Sequence, residues 1–219
     1  MIRKKQRNAG FTLVELSIVL VIIGLIIGGV LTGRQIMQNA QVTNVINSIQ
    51  AYEAQFQTYT QNYGAMPGDD ALASTTRFPS AGIPASGNGN GTLEGSFDNT
   101  PTTSGTENYA ETNLLWADLR AAGLVKGAGT DASQPVNPFG GIYGFQHGAF
   151  NGVFTTNVLC LNGVPGDAAS AIDSRLDDGV SNSGSIQAMI STGTVGEAVN
   201  GTVAATYDSS KTYTMCMQM

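Results

Sequence analysis

Few side chains of this 219-residue chain have the chemistry of a catalytic or metal site. The chain contains one histidine, His147, and two cysteines, Cys160 and Cys216, too few for a zinc site made of cysteine and histidine alone. One histidine and two cysteines are enough for a Cys–His catalytic pair, but no other feature of the sequence supports one. His147 lies in a stretch rich in glycine and aromatic residues, where a lone histidine is more often a turn or core residue than a general base. Because neither a nucleophile-elbow serine nor a phosphate-binding glycine pattern accompanies it, the sequence predicts that the protein is not an enzyme.

One group of aspartates is a candidate cation site. Asp173, Asp177 and Asp178 are followed closely by Ser181 and Asn182, and together they could supply oxygen ligands to Ca²⁺. The spacing does not match the alternating ligand positions of an EF-hand loop. A helix end followed by an acidic turn is therefore the preferred interpretation, and a calcium site is the alternative.

A second acidic pair occurs in the segment Met66-Pro67-Gly68-Asp69-Asp70, which predicts a turn because Pro and Gly set the chain direction. We interpret the two aspartates as part of a solvated turn and not as a cation site. Residues 80–106 are rich in Gly, Ser, Asn, Thr and Pro and show no apolar periodicity. They predict a long loop or a mobile surface insertion.

The charge of the chain is unevenly distributed. There are 10 basic and 16 acidic residues, a formal net charge of −6. Four of the basic residues, Arg3, Lys4, Lys5 and Arg7, lie in the first ten positions, so the remainder has 6 basic against 16 acidic residues. A body this acidic argues against direct binding of nucleic acid, because phosphate contacts need a basic face. The 28 glycines and the small charged fraction of 12% favour a loop-rich domain outside the cytoplasm.

An apolar segment runs from Phe11 to Leu31, and Glu15 is its only charge. As a helix it is about 32 Å long, which matches the hydrocarbon core of a bilayer, about 30 Å thick. The basic residues that precede it predict that the N-terminus lies in the cytoplasm and that everything after Arg34 lies outside it. A secretory signal peptide is the competing interpretation, but its apolar region is usually only about 7–15 residues long and ends at an A-x-A cleavage site, which is absent here.

The junction Gly10-Phe11-Thr12-Leu13-Val14-Glu15 resembles the type IV prepilin signature, which places Gly, Phe, Thr, Leu, a variable residue and Glu between a short basic leader and an apolar run. The resemblance implies that a prepilin peptidase cleaves after Gly10 on the cytoplasmic side. The leader, residues 1–10, is then lost, and Phe11 becomes the new N-terminus and is N-methylated.

Glu15 fits the same resemblance. An ionisable residue in a membrane helix costs about 2.5–3.5 kcal/mol and usually has a partner or a function. In pilins the partner is the free amine of another subunit's first residue, here Phe11; the alternative is that Glu15 snorkels to the membrane interface. The chain departs from many major pilins at Thr32, where they carry a proline at which the helix can melt in a filament. Nearby glycines would loosen the helix here instead.

The remaining patterns define an α+β fold, with a long N-terminal helix packed on a head that contains a small antiparallel sheet. Residues 11–33 would form the transmembrane or filament-core half of the helix, residues 34–63 an amphipathic half with an apolar stripe, and residues 64–219 the head. Within the head, the sequence predicts helices at 113–122 and 168–176, the second capped by Asp167, and strands at 153–161 and 213–217.

Because the head would lie in an oxidising compartment, Cys160 and Cys216 are expected to form a disulfide. It would close a loop of 56 residues, worth about 4 kcal/mol in the chain-entropy model. Two reduced, buried thiols are the alternative. Many members of the family that the chain resembles have a disulfide in their C-terminal region.

The resemblance implies a structural subunit of a type IV pilus-like filament, in which helices bundle in the core. Its partners would be other copies or other pilins, the inner membrane, prepilin peptidase, and the platform and ATPase of the assembly machinery. The alternative within the family is a pseudopilin of a type II secretion system, some of which bind calcium in a C-terminal loop. A periplasmic enzyme or binding protein tethered by an uncleaved N-terminus is the alternative outside the family.

Overall fold

A computed structural model describes residues 12–100 and 109–219 of the chain. It contains helices and strands in the order α1 (Leu13–Tyr63), a π-helix (Ala73–Arg77), α2 (Glu111–Ala121), β1 (Tyr143–Ala149), β2 (Phe154–Pro165), α3 (Gly166–Leu176), β3 (Ile186–Ile190), α4 (Glu197–Asn200) and β4 (Thr212–Gln218). Two compact units meet at Ala40/Gln41. The predicted division into leader, helix halves and head stays a prediction.

Helix α1 confirms the prediction of one long N-terminal helix. Its stripe in the second unit is buried as the periodicity requires, at positions Val42, Val45, Ile49, Phe56 and Tyr59. The helix stops where Gly64 adopts a positive φ of 67° and donates its N–H to the carbonyl oxygen of Thr60 at 2.9 Å. A residue without a Cβ takes this left-handed conformation without steric cost, so Gly64 forms a C-terminal cap.

The head contains a four-stranded antiparallel sheet in the order β1-β2-β4-β3, which confirms the α+β fold. One face of the sheet packs against the stripe of α1 and against α2. Phe56 stacks on Phe145 with ring centroids 5.2 Å apart, and Tyr52 meets Trp116 edge to face at 5.1 Å. Aromatic pairs of this kind add about 0.5–1.5 kcal/mol each to the burial of their area.

A second, smaller core covers the opposite face of the sheet, built around Phe97, Phe150 and Phe154. Phe97 lies so close to strand β1 that a Cβ added at Gly144 would be 2.6 Å from its carbonyl oxygen. Gly144 therefore admits a close backbone approach, which is one use of glycine inside a strand. Six of the nine buried residues of this second core lie on the strands, and Phe97 and Phe150 come from loops.

Strands β2 and β4 and helices α2 and α3 lie where the sequence predicts them, within a few residues. The predicted cap of α3 is wrong. Pro165 occupies the N-cap position without a side-chain hydrogen bond, and Asp167 lies in the first turn. The N–H of Gly166 donates instead to the carbonyl oxygen of Lys211 at 2.9 Å, so the backbone just before β4 takes over part of the role of the cap.

Candidate functional site

The two processing residues, Gly10 and Phe11, lie outside the described residues, so cleavage and N-methylation there stay predictions. The described chain begins at Thr12, and Glu15 lies in the first turn of α1. Oε2 of Glu15 accepts hydrogen bonds from the backbone N–H and Oγ1 of Thr12 at 2.8 and 2.9 Å, and the N–H of Glu15 donates to Oγ1 of Thr12 at 3.2 Å. This reciprocal arrangement is a capping box, in which both side chains satisfy backbone or hydroxyl donors at the helix start.

This capping role was not predicted, although a threonine followed three residues later by a glutamate is its known signal. Glu15 thus has an intramolecular function before any neighbouring subunit is considered. Its predicted pairing with the amine of Phe11 on another subunit stays a prediction.

The apolar side chains that follow Glu15 are exposed throughout. The exposed fraction of the large ones ranges from 46% at Ile23 to 72% at Leu25 over the stretch that ends at Leu31. Among the described residues, α1 is the one helix long and apolar enough to cross a membrane. An exposed apolar surface of this extent must be covered by lipid or by other protein.

The glycines of this segment leave the helix unbroken. A Cβ at Gly24, Gly28, Gly29 or Gly33 would meet nothing within 4 Å. Oγ1 of Thr32 donates to the carbonyl oxygen of Gly28 at 3.1 Å, a local bond that competes weakly with the helical ladder. The four glycines present close-approach positions on the helix surface, and melting on assembly stays a prediction.

Cys160 and Cys216 form a disulfide, as expected for an exported head. The two residues are directly opposite each other on the adjacent strands β2 and β4. Both are fully buried in the second core. The bridge therefore joins the two central strands of the sheet and is shielded from solvent.

The interpretation of Asp69 and Asp70 as a solvated turn is wrong, because both are buried. Asp69 accepts three backbone N–H groups from the following loop: Gly89 and Asn90 on Oδ1 at 2.7 and 3.0 Å, and Gly91 on Oδ2 at 2.8 Å. Successive backbone N–H groups that converge on an oxygen form an anion-binding nest. Here the anion in the nest is the carboxylate of Asp69.

Asp70 is bound from three directions. It accepts a hydrogen bond from the hydroxyl of Tyr59 at 2.9 Å and one from the N–H of Leu72 at 3.0 Å. Nε of Arg77 lies 2.5 Å from its Oδ2. The turn after α1 is thus a buried polar junction between the helix, the π-helix and the loop.

Two acidic residues of α2 complete this junction. Oδ2 of Asp118 accepts the N–H of Gly68 at 2.7 Å, and the carboxylate of Glu111 accepts the N–H groups of Asn88 and Glu94 at 2.9 and 3.0 Å. Desolvation raises the pKa of Asp118 to about 7, the Gly68 hydrogen bond opposes the rise, and the nearby Asp70 adds to it.

The sequence predicts a long loop or a mobile insertion at residues 80–106; the described part contains neither helix nor strand, and its mobility stays a prediction. Asp69 and Glu111 accept backbone N–H groups of residues 88–94, and the side chains of Leu93 and Phe97 are buried. Sequence alone gave no indication, because polar loop composition is the same whether the donors meet water or a buried carboxylate. Residues 101–106 lie outside the described part.

The structure brings Asp173, Asp177 and Asp178 together, with one ligand atom from each within 4.8 Å of the others. Each carboxylate already accepts hydrogen bonds from its surroundings: Asp173 from Tyr207 at 2.7 Å, Asp177 from the N–H of Ile186 at 2.9 Å, and Asp178 from the N–H of Val180 at 2.8 Å. The chemistry of the donor set suits Ca²⁺. The hydrogen bonds also explain the cluster without a cation, so a calcium site stays a prediction.

His147 is neither a turn nor a core residue, which corrects the prediction. It lies on strand β1 with its side chain exposed. Its Nδ1 is 3.1 Å from Oδ1 of Asn157 on the neighbouring strand. This is a cross-strand polar pair on the sheet surface.

The features described above define a pilin-like class of protein: a long apolar N-terminal helix that continues into a disulfide-bonded α+β head. Comparison with protein families agrees, since residues 5–31 match the family model described as the prokaryotic N-terminal methylation motif. The chain therefore carries the type IV prepilin signature. No curated protein and no solved structure matches the chain significantly.

Proposed function

We propose that the protein is a structural subunit of a type IV pilus-like filament. Prepilin peptidase cleaves it after Gly10, Phe11 is N-methylated, and the subunit polymerises through α1. One observation carries the proposal: the methylation motif opens a helix whose apolar side chains, from Leu13 to Leu31, are exposed. The same surface suits lipid before assembly and other copies of α1 afterwards.

The subunit is stored in the inner membrane with its N-terminus in the cytoplasm, and assembly transfers it to a filament. Its partners are other copies or other pilins, the prepilin peptidase, and the platform protein and ATPase that power assembly. The head, with its buried disulfide and buried carboxylates, is built for an environment without reductant. Its acidic surplus argues against direct contact with nucleic acid.

A pseudopilin of a type II secretion system is the second candidate. The observation that favours it is the cluster of Asp173, Asp177 and Asp178, because some pseudopilins bind calcium in a C-terminal loop. The two functions predict different locations for the processed chain, a surface fibre that shears off or a periplasmic filament that stays with the cell.

The test is the intact mass and N-terminal sequence of the protein from sheared-surface and membrane fractions of cells with an active peptidase. We expect a chain that begins at methylated Phe11 in the sheared fraction. A processed chain confined to the cell would support the pseudopilin. A chain that still begins at Met1 would refute both candidates and favour a tethered periplasmic protein, and a start beyond Gly33 would reveal a cleaved signal peptide.

A further inference from the structure

The charges of helix α1 are few and regularly spaced. From Leu13 to Tyr63 the helix has three, Glu15, Arg34 and Glu53. They alternate in sign, and each is 19 residues from the next. At 1.5 Å per residue this interval is about 28 Å of helix. Two parallel copies displaced by this interval would have Arg34 of one level with Glu53 of the other.

Neither Arg34 nor Glu53 has a partner among the described residues. The ion pairs of that part of the chain join other residues, and no hydrogen bond of either side chain occurs there. Arg34 is exposed and Glu53 is half-buried. Both charges therefore remain available for an intermolecular contact.

Of the two carboxylates of α1, that of Glu53 gains more from a cation. It lies four residues after Ile49 and three before Phe56, so it borders the buried stripe of the helix. Desolvation there raises its pKa, which means that the carboxylate loses water without gaining a donor. A counter-charge is worth more at such a position than in open solvent.

Arg34 changes surroundings when the subunit leaves the membrane. It follows the apolar run directly, where its long side chain can snorkel to the lipid headgroups. In a filament those headgroups are gone. The carboxylates of α1 are those of Glu15 and Glu53, and the resemblance to type IV pilins assigns Glu15 to the amine of Phe11 on another subunit.

We infer that in the filament Arg34 of each subunit forms an ion pair with Glu53 of a second copy of this chain, staggered by 19 residues. The inference rests on the proposed function, because it requires parallel packing of α1 helices. Burial of apolar surface is non-directional and does not select one stagger over another. The ion pair supplies that selection and acts on a different neighbour from the one that Glu15 contacts.

Cysteine cross-linking measures the stagger directly. A chain with Gln38→Cys and Gln57→Cys keeps both charges and places the thiols one helical turn after Arg34 and Glu53, again 19 residues apart. It is expressed in piliated cells, and sheared filaments are treated with a short bis-maleimide, because an Arg–Glu ion pair holds its helices further apart than the Cα separation of about 7 Å that a disulfide allows. We expect a ladder of covalent multimers on a denaturing gel. The matched control pairs Gln38→Cys with Gln50→Cys, which is seven residues, about 10 Å, before Gln57 on the helix, and should give monomers.

A ladder that is equally strong for the Gln50 control, or missing for the Gln57 variant in well-formed filaments, would overturn the inference. Failure of the proposed function gives a different result, since the unsubstituted protein would then show no processing after Gly10 and no filament. Cys160 and Cys216 stay out of the reaction because they are already bonded and buried.

A charge substitution provides an independent readout. Glu53→Lys places like charges level with each other, and we expect about tenfold less sheared filament, with N-terminal processing unchanged. Gln61→Lys adds the same charge on the exposed side of the helix and should stay within about twofold of the unsubstituted yield. Fluorescence of Trp116 verifies that both heads fold. Equal yields from the two variants would contradict the ion pair.

Discussion

The buried carboxylate of Asp118 makes the stability of the head depend on pH in an unusual direction. Asp118 lies on α2 with an exposed fraction of 1%. Its Oδ2 accepts the N–H of Gly68, whereas its Oδ1 has no hydrogen-bond partner among the described residues. Such a position disfavours the charged form, because an ion is transferred from water without full compensation.

The magnitude follows from the pKa, which desolvation raises from 3.8 to about 7. Each pKa unit corresponds to about 1.4 kcal/mol, so deprotonation in the folded state costs at most about 4 kcal/mol. Between these two pKa values the folded state binds more protons than the unfolded state. The contribution of Asp118 to the free energy of unfolding is therefore full below about pH 4 and is lost as the pH rises towards 7.

Asp118→Asn removes the titration and keeps an oxygen that can accept the N–H of Gly68. The assay is urea unfolding of the full chain in detergent between pH 4.5 and 8, followed by the fluorescence of Trp116, the single tryptophan, which is fully buried on α2. We expect the difference in the free energy of unfolding, variant minus wild type, to rise by about 2–4 kcal/mol across this range. Asp167→Asn is the control for an exposed aspartate.

Other carboxylates titrate in both proteins and cancel in that difference. A difference that stays constant across the pH range would refute the argument, because it would show that Asp118 is ionised at the same pH in the folded and unfolded states. A difference that falls with pH would mean that an additional donor stabilises the carboxylate.

Three further predictions concern the head. Replacing both Cys160 and Cys216 by serine should lower the free energy of unfolding, measured by urea titration, by about 4 kcal/mol. Reductant alone should leave the disulfide of the folded protein intact because both cysteines are buried. Rapid reduction without denaturant would contradict this expectation. Asp69→Ala leaves three backbone donors unpaired at about 1–3 kcal/mol each, and limited proteolysis should then cut the loop after the turn, which Asp69→Asn should partly prevent. Although desolvation acts against it, hydrogen bonds from Ser191, Thr214 and Thr192 lower the pKa of Glu197 to about 2. The contribution of Glu197 to the free energy of unfolding should therefore be present above about pH 4.5 and fall as the pH drops towards 2. Glu197→Gln should make stability less dependent on pH in that window, and an unchanged pH profile of acid unfolding would contradict the assignment.

The local patterns of the sequence were sufficient to predict the elements that rest on them. The unbroken apolar run and the later stripe of Val42 to Tyr59 predict one long helix, since each position repeats the same preference. The pairing of Cys160 with Cys216 could be predicted because the chain has two cysteines and the head was expected to be exported. Strands β1 and β3 were not predicted, because glycines interrupt β1 and β3 has only five residues.

The contacts that fasten the head could not be predicted in the same way. Asp69 and Asp70 occur in a turn sequence that is the same whether the carboxylates face water or N–H donors some twenty residues later in the chain. Asp118 and Glu111 are ordinary polar positions of an amphipathic helix until the turn and loop pack over them. Whether a charge can be buried depends on which hydrogen-bond donors from distant parts of the chain pack against it, and the local sequence does not specify them.

The sequence by itself was enough to predict that this protein is anchored and processed at its N-terminus, because the methylation motif and an apolar run of bilayer length are contiguous along the chain. Tertiary structure alone decided where the acidic residues of the head lie and how strongly each holds its proton. Hydrophobic periodicity depends only on residues that are close in sequence, whereas the electrostatic free energy of a carboxylate is set by the solvent and the hydrogen-bond donors around it in the folded structure.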